Sequence, residues 1–344
     1  MERRIFTLLL CIIISVFVIY KLDPISEHLA KYFYSTPTIS APEKNRFAKE
    51  IDYDFVQISK DFVPYNYQDL LNIFYTTLDS GYETFTFYCP SEYQDCISDV
   101  EKVSNPENVE ILTTIGNYVS PYNNFKSIDV LYDTAGEVTI NITRLYSEQD
   151  ILDITNAIDS IWKEIVTTDM KNQDIIYAFH DYVINHTRYD ENYETELANY
   201  NLKLSELEKE LKSLEKDSKR YKEIQNQYNN LKANPTTTHQ ASKANGPLFE
   251  GYAICSGYTD VMAILLDKLS IRNFKVASST HVWNVVNIDD TWKHIDLTWD
   301  DPLSVEDKSK NYLEHKFFMI DTKTLEQYDI KDHTFNKSIY TELK

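Results

Sequence analysis

The chain has 344 residues, 42% of them apolar and 26% charged, a balance that suits one large or two medium globular domains and excludes a disordered chain. Its net charge of -20 argues against a nucleic-acid binder, because phosphates would be repelled. Only 6 glycines serve the whole chain, so each one is informative about the backbone around it.

The first element is the apolar run in "MERRIFTLLLCIIISVFVIYKLD", uncharged from Ile5 to Tyr20. Residues 1–21 read as a membrane anchor. No small-x-small cleavage site follows, which predicts an uncleaved signal anchor. Arg3 and Arg4 on its N-terminal side predict an extracytoplasmic body, although Lys21 reduces the charge difference. Leu10 stands before Cys11 where lipidation would require a small residue. Residues 22–50, with two prolines in "TPTISAP", read as a linker.

Residues 51–165 read as a small α+β domain. "YQDLLNIFYTTLDSG" has helical spacing and stops at a glycine, and "YETFTFYC" alternates with period two. "FKSIDVLYDTAGEVTINITRLY" reads as two strands joined at Thr134-Ala135-Gly136. "SEQDILDITNAIDSIWKEIV" opens on a Ser-x-x-Asp cap and continues as a helix. Cys89 and Cys96 could pair as a local disulfide if the body is extracellular, or stand as unrelated thiols. Neither has a CxxC neighbour or a histidine pair at ligand spacing, so no metal is expected. Asn-x-Ser/Thr patterns at Asn141, Asn185 and Asn336 are too short to carry a conclusion.

Residues 166–344 form the next domain. "NQDIIYAFHDYVINHTRYD" reads as a helix with Ile175, Ile176, Phe179, Tyr182 and Val183 on one face, and its His180 and His186 read as surface or packing residues. Residues 194–233 are dense in Glu, Lys and Leu. Leu204, Leu207, Leu211 and Leu214 repeat at three-four spacing, and Tyr221, Ile224, Tyr228 and Leu231 repeat out of phase with them. That slip favours two antiparallel arms joined near Asp217-Ser218 over one long helix, an inserted hairpin that a partner could dock on. After it come a loop, a helix from Cys255, the strands "NFKVASS", "HVWNVVNID" and "TWKHIDLTWDD", an extended "KFFMID" and a polar tail.

Cys255 stands where a loop becomes a helix with an apolar stripe at Val261, Ile264, Leu265 and Leu269. The unpaired N–H groups and the positive dipole end at such a place favour a thiolate. Gly251 and Gly257 bracket it, permitting unusual backbone angles or the close approach of a substrate. A nucleophile of this kind needs a base, and the base needs an orienting group. With a two-residue turn at Asp289-Asp290, Ile288 faces Thr291, so Trp283 faces Asp296 and His281 faces Thr298. His281 and Asp296 then share a sheet face as diagonal neighbours, roughly 7 Å apart at Cβ. A turn set back by one residue on each side would oppose them directly. A slip in one strand only would separate them. Asp300 shares that parity as a fallback acid, and His294, nearer the turn, is a poor rival base. Trp283 and Trp299 suit either a groove wall or the core.

"GYAICSGYTDVMAILLDKLSI", "HVWNVV" and "WKHIDLTWDDP" together resemble the core of the transglutaminase-like superfamily, and "FHDYVINHTRYD" resembles the helix that precedes it. The resemblance covers roughly residues 170–325, interrupted by the helical arm. It implies an α+β, papain-like core in which a helix bearing Cys255 packs on an antiparallel sheet, with His281 as base and Asp296 as orienting acid. It also implies acyl transfer from a carboxamide of a protein or peptide substrate, to an amine or to water. The whole chain then reads as a membrane-anchored, extracytoplasmic cysteine acyltransferase or peptidase with a Cys-His-Asp triad and no cofactor. The alternative is a catalytically silent module of the same fold that binds protein at the cell surface.

Overall fold

The computed structural model describes residues 63–117, 119–216, 218–233, 240–302 and 312–343. The expected anchor at 1–21 and linker at 22–50 lie outside them. Among the described residues no helix is long and apolar enough to cross a membrane. The longest of them, Tyr193–Ser213, has 21 residues but is crowded with Glu and Lys. The described residues thus contain no span to carry the expected membrane-anchored body; its signal anchor, its membrane partner and its extracytoplasmic placement rested on residues 1–21 alone and gain no support from them.

The described chain is α+β and divides into two units, one running to Tyr146 and the other starting at Ser147. The first contains helix α1 (Tyr67–Asp79), strand β1 (Thr84–Tyr88), helices α2 (Cys96–Ser104) and α3 (Val109–Gly116), and strands β2 (Phe125–Tyr132) and β3 (Glu137–Arg144). The strands form an antiparallel sheet in the order β1-β3-β2. Period-two alternation sends Phe85, Phe87, Val138, Ile140 and Ile142 into the core. The half-buried residues between them bond across the strands instead, Thr86 with Thr139 and Tyr88 with Glu137. Cys89 and Cys96 form a disulfide that ties the end of β1 to the start of α2.

The second unit opens with α4 (Glu148–Ile165), started by a capping box between Ser147 and Asp150. Sequence pattern groups this helix with the first domain. Its side chains bind the second, Asp150 accepting from Asn245 at 2.7 Å and Asp159 pairing with Lys268 at 2.6 Å. Helix α5 (Asn172–His186) leads to β4 (Arg188–Tyr189), and then come α6 (Tyr193–Ser213) and α7 (Lys219–Ala233). Leu207 and Ile224 are buried between α6 and α7, and Tyr228 donates to Glu208 at 2.6 Å while Arg220 pairs with Glu210 at 2.7 Å. Higher numbers on α7 thus meet lower numbers on α6, an antiparallel pair. A π-helical turn, Gly246–Glu250, precedes β5 (Tyr252–Ala253), which pairs in parallel with β4. That pairing sets the chain entering the helical pair beside the chain that has left it.

Helix α8 (Cys255–Lys268) then packs on a four-stranded antiparallel sheet of β6 (Asn273–Ala277), β7 (Val282–Ile288), β8 (Thr291–Ile295) and β9 (Phe318–Ile320), in that order. Helix α9 (Leu297–Asp300) follows β8, and α10 (Thr322–Gln327) follows β9. Residues 257–266 of α8 are all buried, so this helix runs through the core rather than lying on it with a single apolar stripe. Its polar groups find partners inside, Asp260 with Lys275 of β6 and the Thr259 carbonyl with Asn284 of β7. Phe274, Val276, Trp283 and Val285 form a core cluster with Phe317, Leu325, Tyr340 and Leu343. The tail past β9 is thus part of the core and not a polar extension.

Candidate active site

The hairpin of β7 and β8 sets the site. Asp289 and Asp290 both have positive φ, 49° and 58°, the two-residue turn whose twist suits adjacent strands. Ile288 pairs with Thr291 and Val285 with His294, the unslipped register. Both strands stop short of the site, β7 starting at Val282 and β8 ending at Ile295. His281 and Asp296 therefore sit at the frayed end of the hairpin, where side chains can turn toward each other. Nε2 of His281 lies 2.6 Å from Oδ2 of Asp296.

Asp296 is 2% exposed and also caps α9, its Oδ1 accepting from the backbone N–H of Thr298 at 3.0 Å and of Trp299 at 3.3 Å. Burial pushes its carboxyl pKa up, but the charge and hydrogen bond of His281, with help from His333, win and hold it well below the ordinary carboxylate range. For His281, burial works downward, while the Asp296 charge and hydrogen bond and a further hydrogen bond with Cys255 work upward. The net is a rise to about 10. With Nε2 held by Asp296, Nδ1 is the nitrogen left for Cys255.

Cys255 is the first residue of α8 and is half-buried. Two glycine positions build its approach. Gly251 has φ +71°, which ends the π-helical turn in a left-handed conformation. A Cβ on Gly257 would stand 2.2 Å from the carbonyl oxygen of Ala241, so the close approach there is by the chain's own backbone and not by a substrate. Thr259 then locks the helix start to β7, its hydroxyl lying 2.7 Å from the Cys255 carbonyl and 3.0 Å from that of Val282. Cys255 and His281 line one cleft of about 660 Å³ with Tyr189, Trp299, Asp301 and Asp332. Burial raises the Asp301 carboxyl to about 6, against a hydrogen bond from Tyr258 that works the other way.

The expected Cys-His-Asp triad is corrected, because Asp296 is shared with a second histidine. Nε2 of His333 lies 2.8 Å from the same Asp296 Oδ2, making a buried cluster of His281, Asp296 and His333. Sequence spacing gave no sign of His333, which lies 37 residues past Asp296 in the tail. Phe335, Ile339, Tyr340 and Leu343 were the available signal, since a tail with that apolar spacing is a packed one. The expected protein or peptide substrate gains no support either, since nothing among the described residues that line the cleft identifies one.

The other candidates separate from this pair. Asp300 is buried and bonds His180, its Oδ2 lying 3.3 Å from Nε2, and accepts from the Phe317 backbone at 2.9 Å. It belongs to α5 and not to His281. His294 accepts from the indole N–H of Trp283 at 2.9 Å and reaches Thr322 at 3.1 Å, and burial lowers its pKa to about 3, so it is a neutral structural group. Trp283 lies in the core, whereas Trp299 lines the cleft. His186 lies outside the cleft, stacked on Tyr182. Among the described residues two groups bring three ligating atoms together, His281-Asp296-His333 and His180-Asp181-His315. In the second, Asp181 Oδ1 lies 3.0 Å from His180 and 2.7 Å from His315. In each set the two histidines meet one shared aspartate oxygen.

No family model matches the chain, and no curated protein matches it. Among solved structures it is similar to one described as a TGase, at 14% identity and TM-score 0.30 over 69% of this chain and 59% of that one. It is also similar to a protein from Cytophaga hutchinsonii assigned as a cysteine protease, at 11% identity and TM-score 0.25 over 51% of this chain and 62% of that one. The chain thus spans less than two thirds of either. Likeness at this level says nothing of activity.

Proposed function

We propose that the protein is a cysteine-dependent acyl-transfer enzyme in which Cys255 is the nucleophile, His281 its proton partner and Asp296 the group that orients His281. One observation carries this reading: Cys255 at a helix start and His281 line the same cleft, and the far nitrogen of His281 is anchored 2.6 Å from a buried carboxylate. The raised pKa of His281 supports an imidazolium beside the sulfur.

In the first step the Cys255 sulfur attacks an acyl carbon and a C–S bond forms. As the bond to the leaving group breaks, His281 gives that group its proton. At the start of α8 the Gly257 and Tyr258 N–H groups turn to the Ile254 carbonyl, which leaves those of Cys255 and Ser256 to suit the oxyanion. In the second step an incoming amine or water loses its proton to His281, attacks the thioester and frees the sulfur. Neither acceptor is favoured by the residues of the cleft.

The test is alkylation of Cys255 with iodoacetamide near neutral pH. Cys255 in the folded protein should react, and His281→Ala should slow it by about tenfold or more. A Cys255 that stays inert in the folded wild type would sink this reading. Amide and ester substrates, each offered with and without a primary amine, then separate transfer from hydrolysis.

A further inference from the structure

We propose that His333 is a positioning residue of this site. By donating its Nε2–H to Asp296 Oδ2 beside His281, it keeps that carboxylate charged and aimed, and so holds His281 as a cation toward Cys255. The inference rests on the acyl-transfer reading above.

A carboxylate as buried as Asp296 needs every lone-pair position satisfied, or it takes up a proton. Asp296 has four donors, His281 at 2.6 Å and His333 at 2.8 Å on Oδ2, and the Thr298 and Trp299 N–H groups on Oδ1. Three of the four are unable to leave. The two backbone groups are fixed by α9, and the His333 ring is enclosed by Phe317, Trp283 and Trp299, with ring centroids 5.0, 5.1 and 5.3 Å away.

The protonation state of His333 follows from its other nitrogen. Nδ1 is buried and has no hydrogen-bond partner among the described residues, in a side chain that is 2% exposed. A proton there would be a buried donor without an acceptor, whereas a bare lone pair costs less. His333 is therefore the neutral Nε2–H tautomer. The charge of Asp296 then serves one cation only, His281. The two histidines share one oxygen but divide the work, His281 facing the cleft and exchanging its proton, His333 keeping its own.

The other titratable groups around the pair are accounted for. Cys255 faces His281 from α8. His294 of β8 is neutral and bonded to Trp283 and Thr322. Asp332 in the cleft wall accepts from Thr280 at 2.8 Å, and Asp301 accepts from Tyr258. None of them donates to Asp296 in place of His333.

Histidine 15N NMR of the wild type, with the His333→Phe and His333→Gln variants, tests this. In the wild type His333 should be neutral and protonated at Nε2 at pH 7. A His333 imidazolium, or an Nδ1–H tautomer, would overturn the proposal whether or not any variant folds. In His333→Phe the titration midpoint of His281 should shift by about one pH unit or more, because the carboxylate it pairs with loses a donor. The pH profile of Cys255 alkylation should move with it. His333→Gln offers an N–H in its place and should recover most of the shift. A folded His333→Phe with an unmoved His281 midpoint, or a Gln variant no better than Phe, would defeat the proposal. An inert Cys255 with a shifted His281 midpoint would sink the acyl-transfer reading and still support the role of His333 toward His281.

Discussion

Nε2 of His281 and Oδ2 of Asp296 meet at 2.6 Å across the open end of the β7–β8 hairpin, the end away from the Asp289-Asp290 turn. Asn at 296 would keep the cap on α9 and remove the charge. Asp296→Asn should destabilise the protein by about 3–5 kcal/mol near pH 5.5, the cost of breaking a buried pair. The sign with pH follows from both partners. The raised pKa of His281 gives a contribution present below its unfolded value of about 6.5 and lost as pH climbs toward about 10. The lowered pKa of Asp296 gives one present above about 3.9 and lost in stronger acid. Urea midpoints of wild type and variant should therefore converge between pH 6 and pH 10. An equal gap at both ends would mean the pair is not ionic.

Gly257 and Gly116 predict opposite outcomes for one substitution. A Cβ at 257 meets the Ala241 carbonyl oxygen at 2.2 Å, whereas one at 116, near the end of α3, meets nothing closer than 3.8 Å. Gly257→Ala should cost about 3 kcal/mol, since backbone must move. Gly116→Ala should be neutral or stabilise by about 0.5 kcal/mol through helix propensity. Thermal midpoints of the two variants check the contrast.

The hydroxyl of Thr259 touches two carbonyls, those of Cys255 and Val282. Thr259→Val keeps the shape and removes the donor, so it should cost about 1–3 kcal/mol. It should also loosen α8 against β7 and slow alkylation of Cys255, while Thr259→Ser restores both. A Val variant with wild-type stability and alkylation rate would show that the bridge holds nothing.

Leu207 and Ile224 are the buried pair between α6 and α7. Ile224→Ala should cost about 2–4 kcal/mol locally. Amide exchange should quicken in residues 193–213 and 219–233 and stay unchanged in residues 255–268. Faster exchange in α8 as well would show that the helical pair is coupled to the core.

The separation of these helices is visible in the phase slip between the leucines at 204–214 and the Tyr221-Ile224-Tyr228-Leu231 set, because helical periodicity is a local property of the chain. The burial of α8 on every side was not. Its Val261 and Leu265 look like one stripe in sequence, and only the sheet and the helices that enclose it decide that Tyr258, Asp260 and Met262 are inside too. The membrane reading rested on the apolar length of residues 1–21 alone, and no described helix adds to it. The disulfide between Cys89 and Cys96 was open in sequence for a related reason: spacing permits a bond, and the meeting of β1 with α2 brings the sulfurs together.

What the sequence determined by itself is parity. A two-residue turn at Asp289-Asp290 forces a constant pairing sum, and that sum puts His281, Trp283, His294 and Asp296 on one side of a sheet wherever the sheet packs. What only the tertiary structure decided is who shares with whom. Asp296 takes a second histidine from 37 residues away, Asp300 goes to His180, and Trp283 spends its N–H on His294. Register depends on bonds between near neighbours in the chain. The choice of a buried partner depends on which distant segments close over the same pocket, and no local pattern carries that.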